Sequence, residues 1–337
     1  MDNSNLKQLL KEYEQKRLIA NQKANQKKQE LYQLAPRLLE IEQELNKSAI
    51  STTLSLLNSN EPQKIENLKE KIQDLKKEKI TILKSIGETE DSLLPCYDCK
   101  DCQDTGYIKI DDYHTVMCNC LKQKLFNLEY NQSNISNLNL HNFDHFSFDY
   151  YSDKINKEKY RADISPRQNI EIIKNICYSF INNFDDPQEK NLLFTGDTGL
   201  GKTFLSSCIA NELLKKGKTV LYQTAPVMLD YIIDQKFGKE TISQNVYNSL
   251  FDVDLLIIDD LGTENINNMK FTELFKIINT RLLNQNKKIT KTIISTNLSL
   301  KDLFQIYNER IGSRLVGYYN ICRFFGDDIR FQIKKKS

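Results

Sequence analysis

The sequence predicts an α/β protein whose C-terminal part is a mainly parallel sheet with helices on both faces, preceded by an α-helical hairpin or coiled-coil arm and a small cysteine-rich knuckle. Three observations predict this organisation. From about Ser165 onward, short apolar runs suited to buried strands alternate with helical patterns. Residues 5–94 are rich in Lys, Glu, Gln and Leu and almost free of glycine, which is typical of helices. Cysteines crowd together between Cys96 and Cys120, which indicates a compact unit between these two parts.

The composition excludes several classes of protein. The chain has 337 residues, enough for two or three domains, of which 39% are hydrophobic and 27% charged. A formal net charge of +2 argues against both overall disorder and a uniformly basic nucleic-acid coat. The chain has no run of about 18 apolar residues, and its start, MDNSNLKQLLKEYEQKR, lacks the apolar core of a signal peptide. We therefore expect a cytoplasmic protein without a membrane partner, whose cysteines stay reduced.

Residues 1–94 are expected to form the helical hairpin or coiled-coil arm. Polar residues 58–62 separate two helices that each carry an apolar stripe, and Pro36 should kink or break the first. The two helices either bury their apolar stripes against each other or present them to a partner protein, and the sequence leaves both interpretations open. The stripe residues are Leu31, Leu38, Ile41 and Leu45 in the first helix and Ile65, Leu68, Ile72, Leu75, Ile82 and Ile86 in the second.

Residues 95–122 are expected to form a zinc knuckle. Reduced thiols at this density favour a structural Zn²⁺ site over free thiols. Five thiols compete for four places, and the tight Cys-x-Cys spacing makes a histidine a competitor for one of them. The possible ligands are Cys96, Cys99, Cys102, Cys118, Cys120 and His114.

Residues 123–164 are Asn-rich and aromatic and have no clear period, so they are expected to form a linker or docking segment. The α/β part would then occupy residues 165–337. Its three cysteines, Cys177, Cys208 and Cys322, lie in apolar patterns and should be core residues.

The strongest motif is GDTGLGKT at positions 196–203, which follows the apolar strand NLLFT. Strand, glycine-rich loop and helix are the context in which the pattern GxxxxGK[ST] binds nucleotide phosphates. Glycines let the backbone amides point at the anion, the lysine reaches the outer phosphates, and the threonine hydroxyl binds Mg²⁺. The motif predicts an ATP and Mg²⁺ site built from Gly196, Asp197, Thr198, Gly199, Leu200, Gly201, Lys202 and Thr203.

A second apolar strand, at about 253–260, ends in two adjacent carboxylates, Asp259 and Asp260. Because side chains alternate along a strand, the two can take separate tasks. We expect Asp259 to bind Mg²⁺ and Asp260 to polarise the attacking water. Glutamate is commoner at the second position in related ATPases, so the shorter aspartate predicts slow turnover.

Polar residues also follow the next strand and helix. Asn297 ends the strand TIIST, where a nucleotide-sensing or water-orienting amide would lie. Further on, Arg310 and Arg314 lie four residues apart and share a helix face. In an ATPase that associates with itself as a ring, one such arginine reaches the phosphate bound by a neighbouring subunit.

Together these residues resemble the DnaC/DnaI-type replicative helicase loaders, which are AAA+ ATPases, particularly their longer Gram-positive and clostridial form. The resemblance runs over almost the whole chain. In the ATPase part it rests on GDTGLGKTFLSSCIA, LLIIDDLGTE, IISTNLSL, ERIGSRL and FFGDDIRF. Before that part it rests on CKDCQDTGYI, CNCLKQ and QSNISNLNLHNFDHFSFDYYSD.

By position, the resemblance implies Walker A at 196–203, Walker B at Asp259 and Asp260, and sensor 1 at Asn297. It implies Arg314 as the arginine finger, with Arg310 as the less favoured choice, and Arg330 as a sensor-2-like contact to the nucleotide. The family pattern selects Cys99, Cys102, Cys118 and Cys120 as the zinc ligands. The chain ends soon after a strand expected at 321–325, which leaves no room for a C-terminal helical lid and argues against replication initiators and clamp-loader subunits.

The resemblance implies a protein that binds the hexameric replicative helicase through its N-terminal region and delivers it onto single-stranded DNA under the control of ATP. Basic residues at 286–291 and 334–336 could contact DNA phosphates, although solvated charge is the commoner role of such residues. Two alternatives remain: a transposition-helper ATPase of the IstB kind, and an adaptor that binds ATP without hydrolysing it.

Overall fold

The computed structural model describes residues 3–57, 62–129, 141–237, 244–265, 267–284 and 288–331. The chain forms two compact units, one of Gln8–Val116 and one of Met117–Ser337 together with Met1–Lys7. Among the described residues, none of the helices is long and apolar enough to cross a bilayer.

The N-terminal unit is built mainly from helices. The break between the first two falls at Ala35, and Pro36 is the first residue of the second, where a missing N–H costs no helical hydrogen bond. This confirms that Pro36 interrupts the first predicted helix, so the arm has three helices instead of two. They are α1 (Asn3–Leu34), α2 (Pro36–Leu57) and α3 (Pro62–Ser85), followed by a 3₁₀ turn at Glu90–Leu93.

Helices α2 and α3 run antiparallel, which confirms the predicted hairpin. Arg37 near the start of α2 pairs with Glu78 at 2.8 Å, whereas Glu44 further along α2 pairs with Lys71 at 3.7 Å. The apolar stripe is covered inside this unit at one end, where Leu31, Leu38, Leu83 and Leu93 form a buried cluster. Of the predicted stripe, Leu75 and Ile41 are also buried, whereas the side chain of Ile65 lies outside the described residues.

The cysteine-rich segment contains a short two-stranded sheet, β1 (Tyr107–Lys109) and β2 (Thr115–Met117). Helix α4 (Asn119–Glu129) follows directly. The amide of Gln123 on α4 bonds both backbone groups of Val220, donating to its carbonyl at 2.9 Å and accepting from its N–H at 2.7 Å. Val220 belongs to an edge strand of the main sheet, so Gln123 bonds backbone groups at the edge of that sheet.

The main sheet has five strands, and every pairing between them is parallel. The strand order is β4-β5-β6-β3-β7, which places the strand before the phosphate loop between two others. The strands are β3 (Asn191–Thr195), β4 (Val220–Thr224), β5 (Leu255–Leu261), β6 (Lys291–Thr296) and β7 (Tyr319–Arg323). The strands are preceded by α5 (Lys157–Tyr160) and α6 (Pro166–Asn182). The helices between the strands are α7 (Lys202–Lys215), α8 (Ala225–Lys236), α9 (Gln244–Asp252), α10 (Asn268–Asn284) and α11 (Leu300–Tyr318).

Both faces of this sheet are buried, so its strands are almost continuously apolar. Neighbouring residues enter opposite cores: Leu192 joins the cluster with α6 and α7, and Leu193 the cluster with α8, α10 and α11. The predicted fold class, a parallel α/β sheet with helices on both faces behind a helical region, is therefore confirmed. The three cysteines expected in the core, Cys177, Cys208 and Cys322, are buried as predicted.

Residues in the segment expected as a linker contribute to this second unit. Phe126 on α4 packs in one core cluster, and Phe143 and Tyr151 pack in the other. Two 3₁₀ turns, Phe143–His145 and Phe148–Tyr150, bring these aromatic rings inward. Hydrophobic periodicity does not predict that such a segment is packed, because its apolar residues follow neither a helical nor a strand repeat.

Candidate functional site

The phosphate loop runs from the end of β3 to the first residue of α7, Lys202. The φ angles of Gly196, Gly199 and Gly201 are +135°, +74° and +92°, values that residues other than glycine rarely adopt. Gly201 is the residue before the helix and turns the loop into it. The three glycines of the motif are therefore required by the backbone of the loop itself.

The same glycines are also needed because other parts of the chain lie against the loop. A Cβ on Gly196 would lie 2.2 Å from the carbonyl oxygen of Phe324, and one on Gly199 would lie 2.0 Å from Oδ1 of Asp328. Ile329 donates its backbone N–H to the Gly199 carbonyl at 2.9 Å. From the other side, the Tyr151 hydroxyl donates to the Leu200 carbonyl at 3.0 Å. The loop is thus held between the segment after β7 and the aromatic segment before α5.

Lys202 is folded back onto this loop. Its Nζ donates to the carbonyls of Gly196 at 2.5 Å and Asp197 at 2.7 Å. Burial lowers the pKa of Lys202, and the nearby carboxylates of Asp260 and Asp259 oppose that shift. An ammonium held only by carbonyl dipoles can exchange them for phosphate oxygens, which carry full charges.

The two carboxylates at the end of β5 differ in environment. Asp259 is 3% exposed, and its carboxylate accepts hydrogen bonds from Tyr222 and Ser295. Asp260 is exposed and has a left-handed backbone with φ of +55°, next to a register shift between Ile258 and Leu261. This bulge, not simple alternation, separates the two side chains. Although part of the residue is exposed, partial desolvation of its carboxylate, together with the charge of Asp259, raises the pKa of Asp260.

Lys202, Thr203 and Asp260 border a cavity of about 620 Å³, a size suited to a nucleotide, whereas the buried Asp259 is not among the residues that line it. One wall is formed by residues 198–204, together with Asp260, Ile329 and Arg330. The opposite wall is aromatic and polar, formed by His141, His145, Phe146, Ser147, Tyr150 and Tyr151. Burial lowers the pKa of His141, whose ring lies 5.1 Å from that of Phe204. Residues of the expected linker therefore line the site, and only the density of aromatic residues in HNFDHFSFDYY could have indicated it.

The aromatic wall is fixed to α6 by a half-buried cation. Lys174 on α6 places its Nζ 4.9 Å from the ring centre of Phe146 and 4.8 Å from that of Phe148. Such cation–π contacts hold rings in place at a modest energetic gain. The wall is therefore a formed part of the site and not a loose connection.

Of the remaining predicted nucleotide contacts, Arg330 reaches the cavity and Asn297 does not line it. Arg330 forms a two-point contact with Asp328, at 3.0 and 2.8 Å. Asn297 is exposed at the end of β6. The residue of β6 that touches the carboxylates is Ser295, which accepts the backbone N–H of Asp260 at 3.1 Å. Ser295 and Tyr222 are not among the site residues that the sequence predicts.

The two arginines of α11 lie outside the residues that line this cavity. Arg314 donates to Asn279 at 2.8 Å and stacks 4.5 Å above the ring of Phe275. Arg310 is exposed. Just before them Asn308 breaks the helix with φ of +53° and accepts the N–H of Arg310, so that the second half of α11 starts at this kink.

Four cysteines lie together in the knuckle. The sulfur atoms of Cys99, Cys102, Cys118 and Cys120 are within 4.8 Å of one another. Four thiolates around Zn²⁺ at about 2.3 Å would be about 3.8 Å apart, so small shifts adapt this group to the ion. Cys96 and His114 lie outside the group. The chemistry and spacing of the four thiols therefore fit a structural zinc ion.

The basic residues considered for DNA binding are partly engaged within the protein. Lys288 pairs with Asp254 at 3.0 Å. Lys291 is buried, and its Nζ donates to the Asp186 carbonyl at 2.9 Å. This corrects the expectation that the whole run 286–291 can meet phosphates, because a buried lysine bound to carbonyls is not available to DNA. Residues 286, 287 and 334–336 lie outside the described residues.

Comparison with known proteins finds one matching family and several related chains. The family described as IstB-like ATP binding protein matches residues 157–337. The replicative helicase loader DnaC of Escherichia coli K12 is 27% identical over 158 residues, 47% of this chain and 61% of DnaC. The insertion sequence IS1162 putative ATP-binding protein of Pseudomonas fluorescens is 30% identical over 113 residues, 32% of this chain and 46% of that protein.

Among solved structures, the crystal structure of the DnaC helicase loader is similar at 22% identity with a TM-score of 0.40, covering 53% of this chain and 96% of its own. The chain spans 61% of the length of the curated DnaC relative that it matches.

Proposed function

The chain belongs to the IstB-like ATP-binding protein family, and from this premise we propose that it is an AAA+ ATPase that loads the replicative DNA helicase onto single-stranded DNA. ATP binding and hydrolysis would switch helicase binding and release. The observation that carries the proposal is that Lys202, Thr203 and Asp260 line one cavity in the part of the chain that resembles the DnaC loader. Such a protein acts on replicating DNA, so we propose a cytoplasmic location.

In this proposal ATP lies along the phosphate loop with its base against the aromatic wall. Backbone amides of 196–201 and the start of α7 would hold the phosphates, and Lys202 would exchange its two carbonyl partners for phosphate oxygens. His141 and Phe146 offer flat faces for the base, and the lowered pKa keeps the His141 ring neutral. Arg330, at the cavity edge, would add a second positive charge near the phosphates.

Magnesium would be held by Thr203 and Asp259, since hydroxyl and carboxylate oxygens are the ligands that this ion prefers. When bound, Mg²⁺ neutralises phosphate charge. Asp260 would orient and polarise the attacking water, and its short side chain supports slow turnover. Asn297 keeps its proposed role as sensor because it directly follows β6, the neighbour of β5 in the sheet.

Self-association would complete the site. Arg314 lies away from the cavity of its own chain, in a fixed position on Asn279 and Phe275, which supports its role as a finger offered to a neighbouring copy. Arg310 remains the second choice.

Residues 1–94, 95–122 and 123–164 would serve as partner-binding arm, zinc knuckle and connecting segment, ahead of the ATPase part at 165–337. The zinc ion would be held by Cys99, Cys102, Cys118 and Cys120, whose spacing supports it. The arm would bind the hexameric helicase. Exposed apolar side chains on it, such as Leu18, Ile19 and Ile50, support a partner-binding role.

The test is complex formation by the full chain with the replicative helicase of its source organism. Size-exclusion chromatography with ATP, with ADP and without nucleotide should show a complex whose stability depends on the nucleotide. Hydrolysis should be measured in the same samples with single-stranded DNA added. A nucleotide-dependent complex together with hydrolysis supports the loader. ATP binding without hydrolysis under all conditions indicates the adaptor.

A transposition-helper ATPase is the second candidate, since the matching family is described as IstB-like and one relative is an insertion-sequence ATP-binding protein. The cysteine group and the helical arm favour the loader. A stable complex with a transposase and none with the helicase would reverse the choice.

A further inference from the structure

Tyr222 lies on β4, beside the strand that carries the two carboxylates. Its side chain is 2% exposed and packs in the core cluster that contains Phe194 and Ile257. A phenol hydroxyl in an apolar core is costly unless it finds a hydrogen-bond partner. The hydroxyl of Tyr222 donates to Oδ2 of Asp259 at 2.8 Å. The hydroxyl also shares a hydrogen bond with the side chain of Ser207. The group that accepts its proton is therefore the carboxylate that the proposed function assigns to magnesium.

Asp259 is held from both neighbouring strands. From β6, the Ser295 hydroxyl donates to Oδ1 of Asp259, and the backbone N–H of Asp260 reaches the same oxygen at 3.2 Å. A carboxylate oxygen has two acceptor positions, so Oδ1 is filled by these two donors. Oδ2 accepts from Tyr222 and keeps one position. The free acceptor position of this buried carboxylate is thus on the oxygen that Tyr222 contacts.

We propose that Tyr222 is a positioning residue for magnesium binding: its hydroxyl fixes the rotation of the Asp259 carboxylate so that the remaining acceptor position of Oδ2 is kept for the metal. This rests on the proposed ATP and Mg²⁺ site. Ser295 fixes the same carboxylate from the opposite side. A phenylalanine would fill the core as well as tyrosine does, so the hydroxyl contributes orientation and not packing.

The experiment compares Tyr222→Phe and Ser295→Ala with Tyr319→Phe in the full chain. Tyr319 is a matched control because it is 3% exposed and its hydroxyl bonds Thr292, at the opposite end of the strands from the phosphate loop. A fluorescent ADP analogue is titrated at increasing Mg²⁺ and again in EDTA, which reports metal-dependent binding without hydrolysis. Thermal melting is measured for each variant.

Removing a group that orients a metal ligand weakens metal affinity by roughly 10- to 100-fold. We expect Tyr222→Phe and Ser295→Ala to raise the Mg²⁺ concentration for half-maximal binding by at least about tenfold. Binding in EDTA should not change, and Tyr319→Phe should match the wild type in both conditions.

Three results would overturn the proposal, and they are distinguishable. If wild-type protein binds the analogue with Mg²⁺ and Tyr222→Phe has the same Mg²⁺ requirement, the positioning role is wrong while the nucleotide site stands. If wild-type protein does not bind the analogue at all, the proposed function fails and the positioning role falls with it. A change of equal size in Tyr319→Phe would show a general effect of core tyrosines and also contradicts the proposal.

Discussion

Gly199 and Gly217 form a matched pair that tests how closely the segment after β7 covers the phosphate loop. Both have a left-handed backbone, with φ of +74° and +77°. A Cβ on Gly199 would lie 2.0 Å from Oδ1 of Asp328, whereas a Cβ on Gly217 would have no heavy atom within 4 Å. Alanine therefore costs the same conformational free energy of the backbone at both positions. Only at Gly199 does its Cβ also collide with another residue.

The magnitudes follow from these contacts. A left-handed backbone costs a residue with a Cβ about 1–2 kcal/mol, which is the loss of unfolding free energy expected for Gly217→Ala. Gly199→Ala should lose about 1 kcal/mol more, because the Asp328 side chain must leave its rotamer to make room for the new Cβ. The exposed contact between Asp328 and Arg330 adds little, since water replaces it.

Urea denaturation of the two variants measures this difference. Asp328→Ala removes all three atoms that would collide with the new Cβ, so it should recover the additional loss when combined with Gly199→Ala. The same change combined with Gly217→Ala should recover nothing. Equal losses for the two glycine variants, or no recovery in the double variant, would refute the close approach of Asp328 to the loop.

Four further outcomes are expected. Asp260→Asn should keep nucleotide binding, because Asn tolerates the φ of +55° as Asp does, while its hydrolysis rate falls by about 10²- to 10⁴-fold. Asp260→Glu should stay below wild-type activity, because Glu tolerates this backbone conformation poorly. Full activity of the Glu variant would contradict this explanation. Because burial and the adjacent carboxylate raise the pKa of Asp260, and the ionised form is the active one, the hydrolysis rate should decline on acidification at a pH above about 3.9, the ordinary aspartate value. Cys102→Ser should lose bound zinc by elemental analysis and Cys96→Ser should retain it; equal zinc contents would count against the assigned ligands. Arg314→Ala and Lys202→Ala should each be inactive, but their mixture should regain part of the hydrolysis, since one chain supplies the site and the other the arginine; an inactive mixture argues against a finger acting between copies.

Local sequence signals were sufficient for the elements and the phosphate loop. The apolar run NLLFT coincides with β3, and the run that begins at Thr292 lies within β6. Pro36 marked the break between α1 and α2 because a proline acts on its own turn of helix. The strand expected at 321–325 lies at Tyr319–Arg323 instead, since the apolar Phe324 leaves the strand to pack against Gly196 of the loop.

Other parts of the site depend on contacts between distant residues. The left-handed backbone of Asp260 arises where β5 shifts register against β6, and no residue pattern in LLIIDDL encodes a bulge. That backbone explains the aspartate at a position where glutamate is commoner, since Asp is among the few residues that tolerate a positive φ. The sequence shows this aspartate only as a departure from the family pattern that predicts slow turnover. The fold gives it a conformational cause.

The contacts of Asp259 show why sheet order decides the rest. Tyr222 and Ser295 lie on different sides of Asp259 because β5 runs between β4 and β6, although Tyr222 precedes Asp259 along the chain and Ser295 follows it. In sequence, neither stands out from its strand, since β4 (VLYQT) and β6 (KTIIST) each contain other polar residues, and both would be assigned to the core. Once the strands are adjacent, two buried hydroxyls lie next to one buried carboxylate. The hydrogen bonds between them offset the free-energy cost of burying these polar groups. Tyr222→Phe therefore tests whether a polar residue of the strand beside β5 supports the proposed metal site.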